Sequence, residues 1–389
     1  MTPGCSFVNR FGEIPEGKLA ESIHTSPNWI DGEFRNQQPT SVMIGKDGFV
    51  EAWWKFLTNS TPDLKPAAPL PCTHTDLSAL DPSRDIAVWL GHSGLYFQLA
   101  GLRFLVDPVY SAYASPVSFI NKSFEFRGGY PFTAKTTPPI DLLILTHDHW
   151  DHLDCETIKA LDHKVKRYAV PLGVNSHLLA WGINPDKILV FDWYDAARFT
   201  EPKPEVVHPF HKPEKRLQPA EWKSGALQAP AIYFFPSRHF SGRTLKRDQT
   251  LWGSYVIEAG GKRLYLSGDG GNGPHFKEIG DLFRDSGGFD LAFTEDGQYN
   301  ADWAEIHMAP EGSVKAATEV GAKSVIPIHN CRYALTRHAW YDPLERIRMA
   351  SHLADWKLLT PKVGDVVPIG DLTIEFPAWW RDVPKSASS

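Results

Sequence analysis

Residues 146–152 read Thr-His-Asp-His-Trp-Asp-His, an H-x-H-x-D-H array that begins where a short apolar run ends. Three imidazoles and a carboxylate so close together are a ligand set that suits zinc, with manganese or iron as less selective alternatives. On a tight loop, the alternation allows His147 and His149 to face one metal while Asp151 and His152 turn towards a second. The competing interpretation is a set of solvated loop residues, and chance matches to such a spaced motif are uncommon. The array therefore predicts a two-metal site.

One array of this length cannot complete two sites, because each metal takes about four ligands and a catalytic metal keeps one position for water. The missing ligands are expected where other strands end, since loops gather there in open α/β sheets. His239, Asp269 and His329 each follow an apolar run closely. A lone histidine after a strand is more often structural, so the prediction depends on all three occurring together with the array.

Size and composition are those of a globular protein. The chain has 389 residues, 42% of them hydrophobic and 22% charged, which leaves little room for long disorder. Its length suits one large decorated domain or two fused halves. The net charge of -6 argues against a broad basic surface for nucleic acid, so we expect no nucleic-acid partner.

The cysteines suggest a reducing compartment. Cys5, Cys72, Cys155 and Cys331 are far apart and form no C-x-x-C pair, so we expect free thiols rather than a disulfide framework or a zinc ribbon. The N-terminus has no signal-like pattern and no apolar run reaches membrane-spanning length, so a cytoplasmic protein is expected. A leader or lipid anchor lost ahead of Cys5 is the alternative.

Short apolar runs with flanking Gly or Pro indicate buried strands from residue 86 onward. They are Ala87–Leu90, Leu102–Val106, Leu142–Leu145, Ala231–Phe235, Leu264–Leu266 and Ser324–Ile328. Helices are predicted between some of them, at Cys155–Leu161 with Asp154 as N-cap and from Pro310 through Val320 with Gly321 just past the end. Strands alternating with helices predict an α/β layer architecture.

The domain organisation is predicted from the composition of successive segments of the chain. Residues 1–80 are rich in Pro, Asn, Thr and Ser, with one apolar segment at 50–57, and are expected to wrap over the core as an N-terminal extension. Residues 81–389 are expected to form a single core domain that carries the metal array. The Pro- and Lys-rich interval 201–230 is predicted to be a long loop or insertion.

The array with its ordered downstream ligands resembles the metallo-β-lactamase superfamily, and more narrowly the N-acylphosphatidylethanolamine-hydrolysing phospholipase D group. The narrower resemblance covers roughly residue 30 to beyond 340. It is carried by Gly32-Glu33-Phe34-Arg35-Asn36, Trp89-Leu90-Gly91-His92, Asp107-Pro108, Ala114-Ser115-Pro116, Pro138-Pro139-Ile140-Asp141, Arg243-Thr244-Leu245, Leu251-Trp252-Gly253-Ser254, Gly268-Asp269 and His307-Met308-Ala309-Pro310-Glu311. The resemblance implies a four-layer αββα sandwich of the metallo-β-lactamase type.

The resemblance also implies roles for individual residues. One metal would be held by His147, His149 and His239, the second by Asp151, His152 and His329, and Asp269 would bridge them. Two such dications can share a hydroxide that attacks an ester, so Asp151 and Asp269 are expected to be catalytic as well as ligating.

Three further residues receive weaker predictions. His307 is expected at the pocket, where it would bind substrate or transfer a proton, the alternative being a solvent-facing histidine at a helix entry. His92 and Asp107 are expected to orient the metal ligands, or to be buried residues with satisfied polar atoms.

The chain departs from the phospholipase pattern near the site. Thr294-Glu295-Asp296-Gly297-Gln298-Tyr299 brings two carboxylates where the phospholipases carry mainly apolar or small residues, and Gly270-Gly271 replaces a Thr-Gly pair. Negative charge facing the metals would repel a phosphodiester unless it points away or is paired. Paired tryptophans at Trp53-Trp54 and Trp379-Trp380 suit either an acyl-chain groove with peripheral membrane contact or ordinary packing.

Three functions are therefore open. The leading expectation is a metal-dependent phosphodiesterase acting on a lipid or small-molecule phosphodiester. The rival is a lactonase or another carboxylic ester or amide hydrolase on the same site. A non-catalytic binding protein stabilised by metal is the third, although structural metal sites are usually closed.

Overall fold

Two mixed β-sheets lie face to face at the centre of the structure. A computed structural model describes residues 5–43, 61–200, 204–207, 230–243 and 246–386. The segment 50–57 with its tryptophan pair, the Thr244-Leu245 pair and most of 201–230 lie outside these ranges, so the predictions made for them remain predictions.

The strands of the described residues are β1 (Trp29–Ile30), β2 (Glu33–Phe34), β3 (Ile86–Trp89), β4 (Leu95–Leu99), β5 (Leu102–Val106), β6 (Ile140–Ile144), β7 (Val165–Pro171), β8 (Ile188–Phe191), β9 (Ala196–Ala197), β10 (Val206–Val207), β11 (Ala231–Phe235), β12 (Ser254–Ala259), β13 (Lys262–Leu266), β14 (Leu291–Glu295), β15 (Ser324–Ile328), β16 (Lys357–Leu358) and β17 (Val366–Pro368). The α-helices are α1 (Phe7–Arg10), α2 (Lys18–His24), α3 (Cys155–Leu161), α4 (Val174–Ala180), α5 (His275–Phe283), α6 (Pro310–Val320) and α7 (Asp342–Ala350). Short 3₁₀ helices cover Asp162–Lys164, Pro185–Lys187, Arg284–Ser286, Ala301–Trp303 and Trp379–Asp382.

The two sheets share one construction. The seven-stranded sheet has the order β17-β3-β4-β5-β6-β7-β8, and the eight-stranded sheet has the order β10-β9-β11-β12-β13-β14-β15-β16. In each, an antiparallel meander (β3-β4-β5 or β11-β12-β13) continues into parallel strands. The parallel strands place several C-terminal ends at one edge, which is where a site can form.

The side chains of β11 show how the layers are arranged. Ile232 and Phe234 belong to the core that joins the two sheets, whereas Tyr233 and Phe235 belong to a second cluster that includes α5 and α6. Alternation along a strand thus sends one face to the opposite sheet and the other to the helices. On the other side, α4 packs against β7 of the seven-stranded sheet. The predicted four-layer αββα sandwich is confirmed.

Both predicted helices and all six predicted strands are present. Helix α6 has Pro310 in its first turn and ends at Gly321, whose φ of +80° is readily adopted by glycine. Helix α3 also has the predicted bounds, and Asp154 is its N-cap residue as predicted. Its carboxylate, however, makes no cap bond and instead accepts hydrogen bonds from Ser111 and Thr157.

The N-terminal segment packs against the core at several places. Asn36 donates from its amide to the His239 carbonyl and accepts from the His239 N–H. Arg238 donates to the Thr40 hydroxyl and the Pro39 carbonyl. These contacts support a wrapping extension, while the division at residue 80 remains a prediction.

The expectation of four free thiols is wrong. Cys5 and Cys155 form a disulfide across 150 residues, and Cys72 and Cys331 are free. The bridge links the segment just before α1 to the first residue of α3, the helix that follows the metal array, so no local spacing predicts it. Among the described residues, no helix has the length and apolar character needed to cross a membrane.

Candidate metal centre

The predicted ligands lie where strands of both sheets end. The array follows β6, Asp269 lies three residues beyond β13, and His329 directly follows β15. Because these strands belong to the parallel halves of the sheets, their C-terminal ends meet at one edge. The fold therefore brings together side chains that are up to 182 residues apart in sequence.

The backbone is strained at this edge. Asp107, His329 and His92 have φ values of +41°, +68° and +54°, in the left-handed region that non-glycine residues rarely adopt. Such residues cost about 1–3 kcal/mol each and cluster at functional sites. At Gly271 the constraint is steric rather than conformational. A Cβ there would lie 1.9 Å from the Glu305 carbonyl oxygen, so the close approach of the two backbones requires glycine at this position.

Three histidines form the first group of candidate ligands. His147 Nε2 lies 2.9 Å from His149 Nδ1, and His149 Nδ1 lies 3.1 Å from His239 Nε2. The three nitrogens converge from two loops on one point. This is the spacing expected of imidazole ligands around one tetrahedral cation.

Asp151, His152 and His329 form the second group. Asp151 Oδ2 lies 3.6 Å from His152 Nε2 and 4.0 Å from His329 Nε2. His92 also belongs to this cluster, with its Nε2 atom 2.8 Å from Asp151 Oδ2.

Asp269 lies between the two groups. Its Oδ2 atom is 3.9 Å from His147 Nε2 and 4.0 Å from His239 Nε2 on one side. On the other side the same oxygen is 3.1 Å from His152 Nε2. This is the arrangement required of a carboxylate that bridges two cations.

A second layer of hydrogen bonds holds the candidate ligands. Asp107 accepts from the Thr146 N–H at 2.9 Å with Oδ1, and its Oδ2 lies 2.8 Å from His152 Nδ1. His92 contacts Asp151, and the Ser93 hydroxyl lies 2.9 Å from His329 Nδ1. The structure thus places both His92 and Asp107 against predicted ligands rather than in isolated core positions.

Sequence reasoning assigned no role to Asp148, an intervening residue of the array. Its carboxylate accepts from the Gly242 N–H at 2.8 Å and the Thr250 hydroxyl at 3.0 Å, and it pairs with His177. Although burial raises its pKa, the hydrogen bond and charge of His177 lower it to about 2. Asp148 therefore anchors the array loop to Gly242, Thr250 and His177.

Burial keeps most of the candidate ligands neutral. It lowers the pKa of His147, His239 and His329 well below the ordinary imidazole value, and that of His149 to about 4. A neutral imidazole is the form that binds a metal. His152 differs, since burial lowers its pKa but the carboxylates around it raise that pKa well above the ordinary value. A bound cation would take the place of this proton.

The donor set and its charge fit a pair of divalent metals. Asp269 Oδ1 is buried and accepts no hydrogen bond from any residue that the structure describes, although His329 Nδ1 lies 3.1 Å away. Asp107, Asp151, Asp269 and Glu295 are all buried, and within the described ranges their ion pairs are with histidines alone. Buried charges need compensation, and two dications would match these four carboxyl groups.

The two carboxylates that depart from the phospholipase pattern point in different directions. Glu295 ends β14 and is fully buried; Oε2 accepts from the Gly270 N–H at 2.6 Å and Oε1 is hydrogen-bonded to His307 Nδ1. Asp296 is fully buried, and neither of its oxygens has a hydrogen bond within the described part of the chain. The charges that act on it include Arg346, Glu311 and Asp342 of the outer helices. Neither carboxylate lines the cavity described next.

A cavity of about 450 Å³ opens over the candidate ligands. The predicted residues in its wall are His149, Asp151, Asp269, His307 and His329. The rest of the wall is mainly apolar, with Val42, Met43, Ala114, Trp150, Phe240, Trp303, Ile306 and Leu335. Arg247 is the cation of this wall, and among the described residues its guanidinium has no hydrogen bond or ion pair and contacts the Phe240 ring face at 5.6 Å.

From sequence, Glu295 was placed near the site without a role, and Arg247 was not recognised. The position of Glu295 could have been predicted by the same strand-end rule that identified Asp269 and His329, because it ends the strand between theirs. Arg247 lies in an irregular segment, where no periodicity indicates which side chain faces a cavity.

Comparisons with known proteins agree with this geometry. The family described as beta-lactamase superfamily domain matches residues 102–330, more than half of the chain. The uncharacterized protein Rv0906 of Mycobacterium tuberculosis is 32% identical over 92% of this chain and 88% of its own length. The N-acyl-phosphatidylethanolamine-hydrolyzing phospholipase D 1 of Caenorhabditis elegans is 27% identical over 73% of this chain and 76% of its own length.

A solved structure shows the same fold. Igni18, a metallo hydrolase from Ignicoccus hospitalis, superposes with a TM-score of 0.50 over 72% of this chain and 97% of its own, at 17% identity. The fold implies divalent metal ions at the edge where the histidine and aspartate clusters lie. The chain thus belongs to the metallo-β-lactamase superfamily, as a hydrolase related to the N-acylphosphatidylethanolamine-hydrolysing phospholipases D.

Proposed function

We propose that the protein is a binuclear-metal phosphodiesterase that acts on a lipid or small organic phosphodiester. Zinc is the proposed metal, with manganese or iron as alternatives. The observation that carries the proposal is Asp269 between two candidate ligand groups, beneath a cavity that has an apolar wall and the guanidinium of Arg247, which is unpaired among the described residues. The proposed ligands are His147, His149 and His239 for one metal, and Asp151, His152 and His329 for the other, with Asp269 bridging.

When bound, such a metal pair supplies a water that ionises near neutral pH and positive charge for the phosphoryl oxygens. The protein's own residues would do the rest. Arg247 would bind the phosphodiester anion at the cavity wall, as guanidinium groups commonly do. Phe240, Trp303 and Leu335 would exclude water and hold the apolar part of the substrate. His307 would carry a proton at the reacting oxygen.

The paired state of the extra carboxylates favours a phosphodiester over the carboxylic ester of the rival hypothesis. Glu295 is bonded through both oxygens, and Asp296 is buried away from the cavity. The repulsion expected from these two charges is therefore reduced. A substrate panel tests the choice: we expect turnover of N-acylphosphatidylethanolamine or bis(p-nitrophenyl) phosphate, whereas activity on lactones alone would reverse it.

Arg247→Ala tests the binding of the anion. We expect KM for a phosphodiester to rise about tenfold or more, since a charge-assisted hydrogen bond contributes about 1.5–3 kcal/mol. Arg284→Ala is the matched control, because Arg284 is an exposed arginine that lies after α5 and does not line the cavity. Equal KM values for the two variants would contradict the assignment.

An exposed apolar pair beside the cavity supports a lipid substrate and peripheral membrane contact. Phe119 and Ile120 are 73% and 44% exposed, and the next residue, Asn121, lines the cavity. We expect Phe119→Ser to reduce hydrolysis of a phospholipid in vesicles while the soluble p-nitrophenyl diester is unaffected. Leu353→Ser is the control, since Leu353 is 85% exposed just after α7. Equal rates of vesicle hydrolysis in both variants would remove this support.

A further inference from the structure

Glu295 has its two carboxyl oxygens committed to two different protein groups. Oε2 accepts from the Gly270 N–H at 2.6 Å, which fixes the carboxylate against the loop that carries Asp269. Oε1 is hydrogen-bonded to His307 Nδ1. The side chain is fully buried, so these contacts are shielded from water.

The arrangement leaves one nitrogen of His307 to the cavity. Its Nδ1 is occupied by Glu295, whereas its Nε2 has no hydrogen bond to any described residue and the ring lines the cavity. The ring lies nearly parallel to His329, with centroids 5.3 Å apart and an interplanar angle of 12°. It meets His239 edge to face at 5.1 Å. His307 is thus held between members of both ligand groups.

We propose that Glu295 is a positioning residue for His307: it accepts the Nδ1–H hydrogen bond and so presents Nε2 to the substrate for proton transfer. The inference rests on the proposed function. In hydrolysis, the attacking water forms the new P–O bond and the P–O bond to the alcohol breaks. The proton given up by the water reaches the alcohol oxygen through His307 Nε2, so that water and diester yield a monoester and an alcohol.

A direct ligand role for Glu295 is the competing explanation. Carboxyl or ring atoms of Asp269, Glu295, His307 and His329 all lie within 4.8 Å of one another. However, each Glu295 oxygen already faces a protein nitrogen, and the bond from Gly270 holds the carboxylate back against the sheet. Positioning is therefore the better account, and the metal content of variants separates the two.

Glu295→Gln is the informative substitution. Gly270 needs an acceptor, so the amide oxygen must face its N–H and the amide NH₂ must face His307 Nδ1. The proton of the ring is then forced onto Nε2, which can no longer accept one. We expect kcat on a dialkyl phosphodiester to fall about 100-fold or more. A p-nitrophenyl leaving group needs no proton, so with that diester the proton given up by the water can pass to solvent instead of to His307. We therefore expect a loss of less than about fivefold on the p-nitrophenyl diester.

Controls keep the result specific. Asp296→Asn changes the neighbouring carboxylate, which is equally buried but, within the described ranges, makes no hydrogen bond to His307. It should leave both rates close to wild type. In a His307→Gln background, Glu295→Gln should cause no further loss, because two residues acting through one group are not additive. Loss of metal in Glu295→Gln, equal losses on both diesters, or additivity with His307→Gln would each overturn the proposal.

The ring tautomer tests positioning separately from the choice of substrate. Nitrogen-15 NMR of the zinc-loaded wild-type protein, with His307 assigned from the His307→Gln spectrum, should show Nδ1 protonated and Nε2 bare. A ring protonated only at Nε2 would overturn the proposal, even if no variant folds. Inactivity of the wild-type protein on every phosphodiester would instead refute the proposed function, while the positioning of the His307 ring by Glu295 would still stand.

Discussion

Asp107→Asn should weaken metal binding without disturbing the fold. Asp107 directly follows β5, and its φ of +41° is one that asparagine also tolerates. The Thr146 N–H, 2.9 Å from Oδ1, needs an acceptor, so the amide oxygen must stay there. The amide NH₂ then faces His152 Nδ1, 2.8 Å from the replaced oxygen. This forces the imidazole proton onto Nε2, the atom that faces Asp269.

The expected effect follows from the loss of this one orienting bond. Removing such a partner of a metal-binding histidine typically lowers metal affinity about 10–100-fold, which corresponds to about 1.4–2.7 kcal/mol. The loss should be confined to the metal held by His152. The affinity for the metal of His147, His149 and His239 should be nearly unchanged.

Competition with a chromogenic chelator measures the two affinities. The matched control is Asp141→Asn on β6, where the carboxylate accepts from the Arg103 N–H at 3.0 Å and touches no histidine. Circular dichroism should show both variants folded. Full affinity for two metals in Asp107→Asn, or an equal loss in the control, would refute the reasoning.

Three further predictions concern the scaffold around the site. Cys5→Ser should lower the free energy of unfolding by up to about 5 kcal/mol, since the bridge to Cys155 closes a loop of 150 residues; an unchanged urea midpoint would contradict this. Hydrogen bonds from Arg381 lower the pKa of Glu345 to about 2 from an ordinary 4.5, so the ionised carboxylate stabilises the folded state. This stabilisation is fully present at pH values above 4.5 and is lost as the pH falls towards 2. At about pH 6, wild type should therefore be more stable than Glu345→Gln by at most about 1 kcal/mol in urea unfolding. This difference should narrow by about pH 4, and a difference that widens would contradict the role of the ion pair. Arg243→Lys should cost about 2–3 kcal/mol in thermal or urea unfolding, because the buried guanidinium donates to three carbonyl groups that one ammonium cannot serve together; wild-type stability would argue against this role.

The site could be predicted from sequence because its geometry follows from strand ends. Strands that run parallel must finish at the same edge, so His147, Asp269 and His329 are brought together by topology once the strands are recognised. The apolar runs before them are short and buried on both faces, which is what parallel strands require. The same rule applied to β14 would have placed Glu295 at this edge, where the sequence pattern alone put it only near the site.

Pairing between distant or polar groups could not be predicted. The Cys5–Cys155 bridge depends on where α1 packs, which no local pattern encodes. Strand β12 was missed partly because Glu258 interrupts its apolar character. In the structure Glu258 is buried, since Arg263 donates to it at 2.6 Å from the neighbouring strand and Tyr233 at 2.8 Å.

The surroundings of the charged groups near the site could not be predicted from sequence either. From sequence, Glu295 and Asp296 were two carboxylates beside the metals and an argument against a phosphodiester. Their different surroundings, one bonded to His307 and Gly270 and the other buried away from the cavity, are set by the register of β14. Shifting a strand by one residue exchanges its faces, so such detail requires the three-dimensional structure.

Anomalous diffraction from crystals of the protein purified without chelators, recorded at the zinc, iron and manganese absorption edges, tests the metal centre most directly. Two peaks about 3.5–4 Å apart are predicted, one among His147, His149 and His239 and one among Asp151, His152 and His329, with Asp269 touching both. A single peak, or two peaks held by other side chains, would contradict the two-metal account.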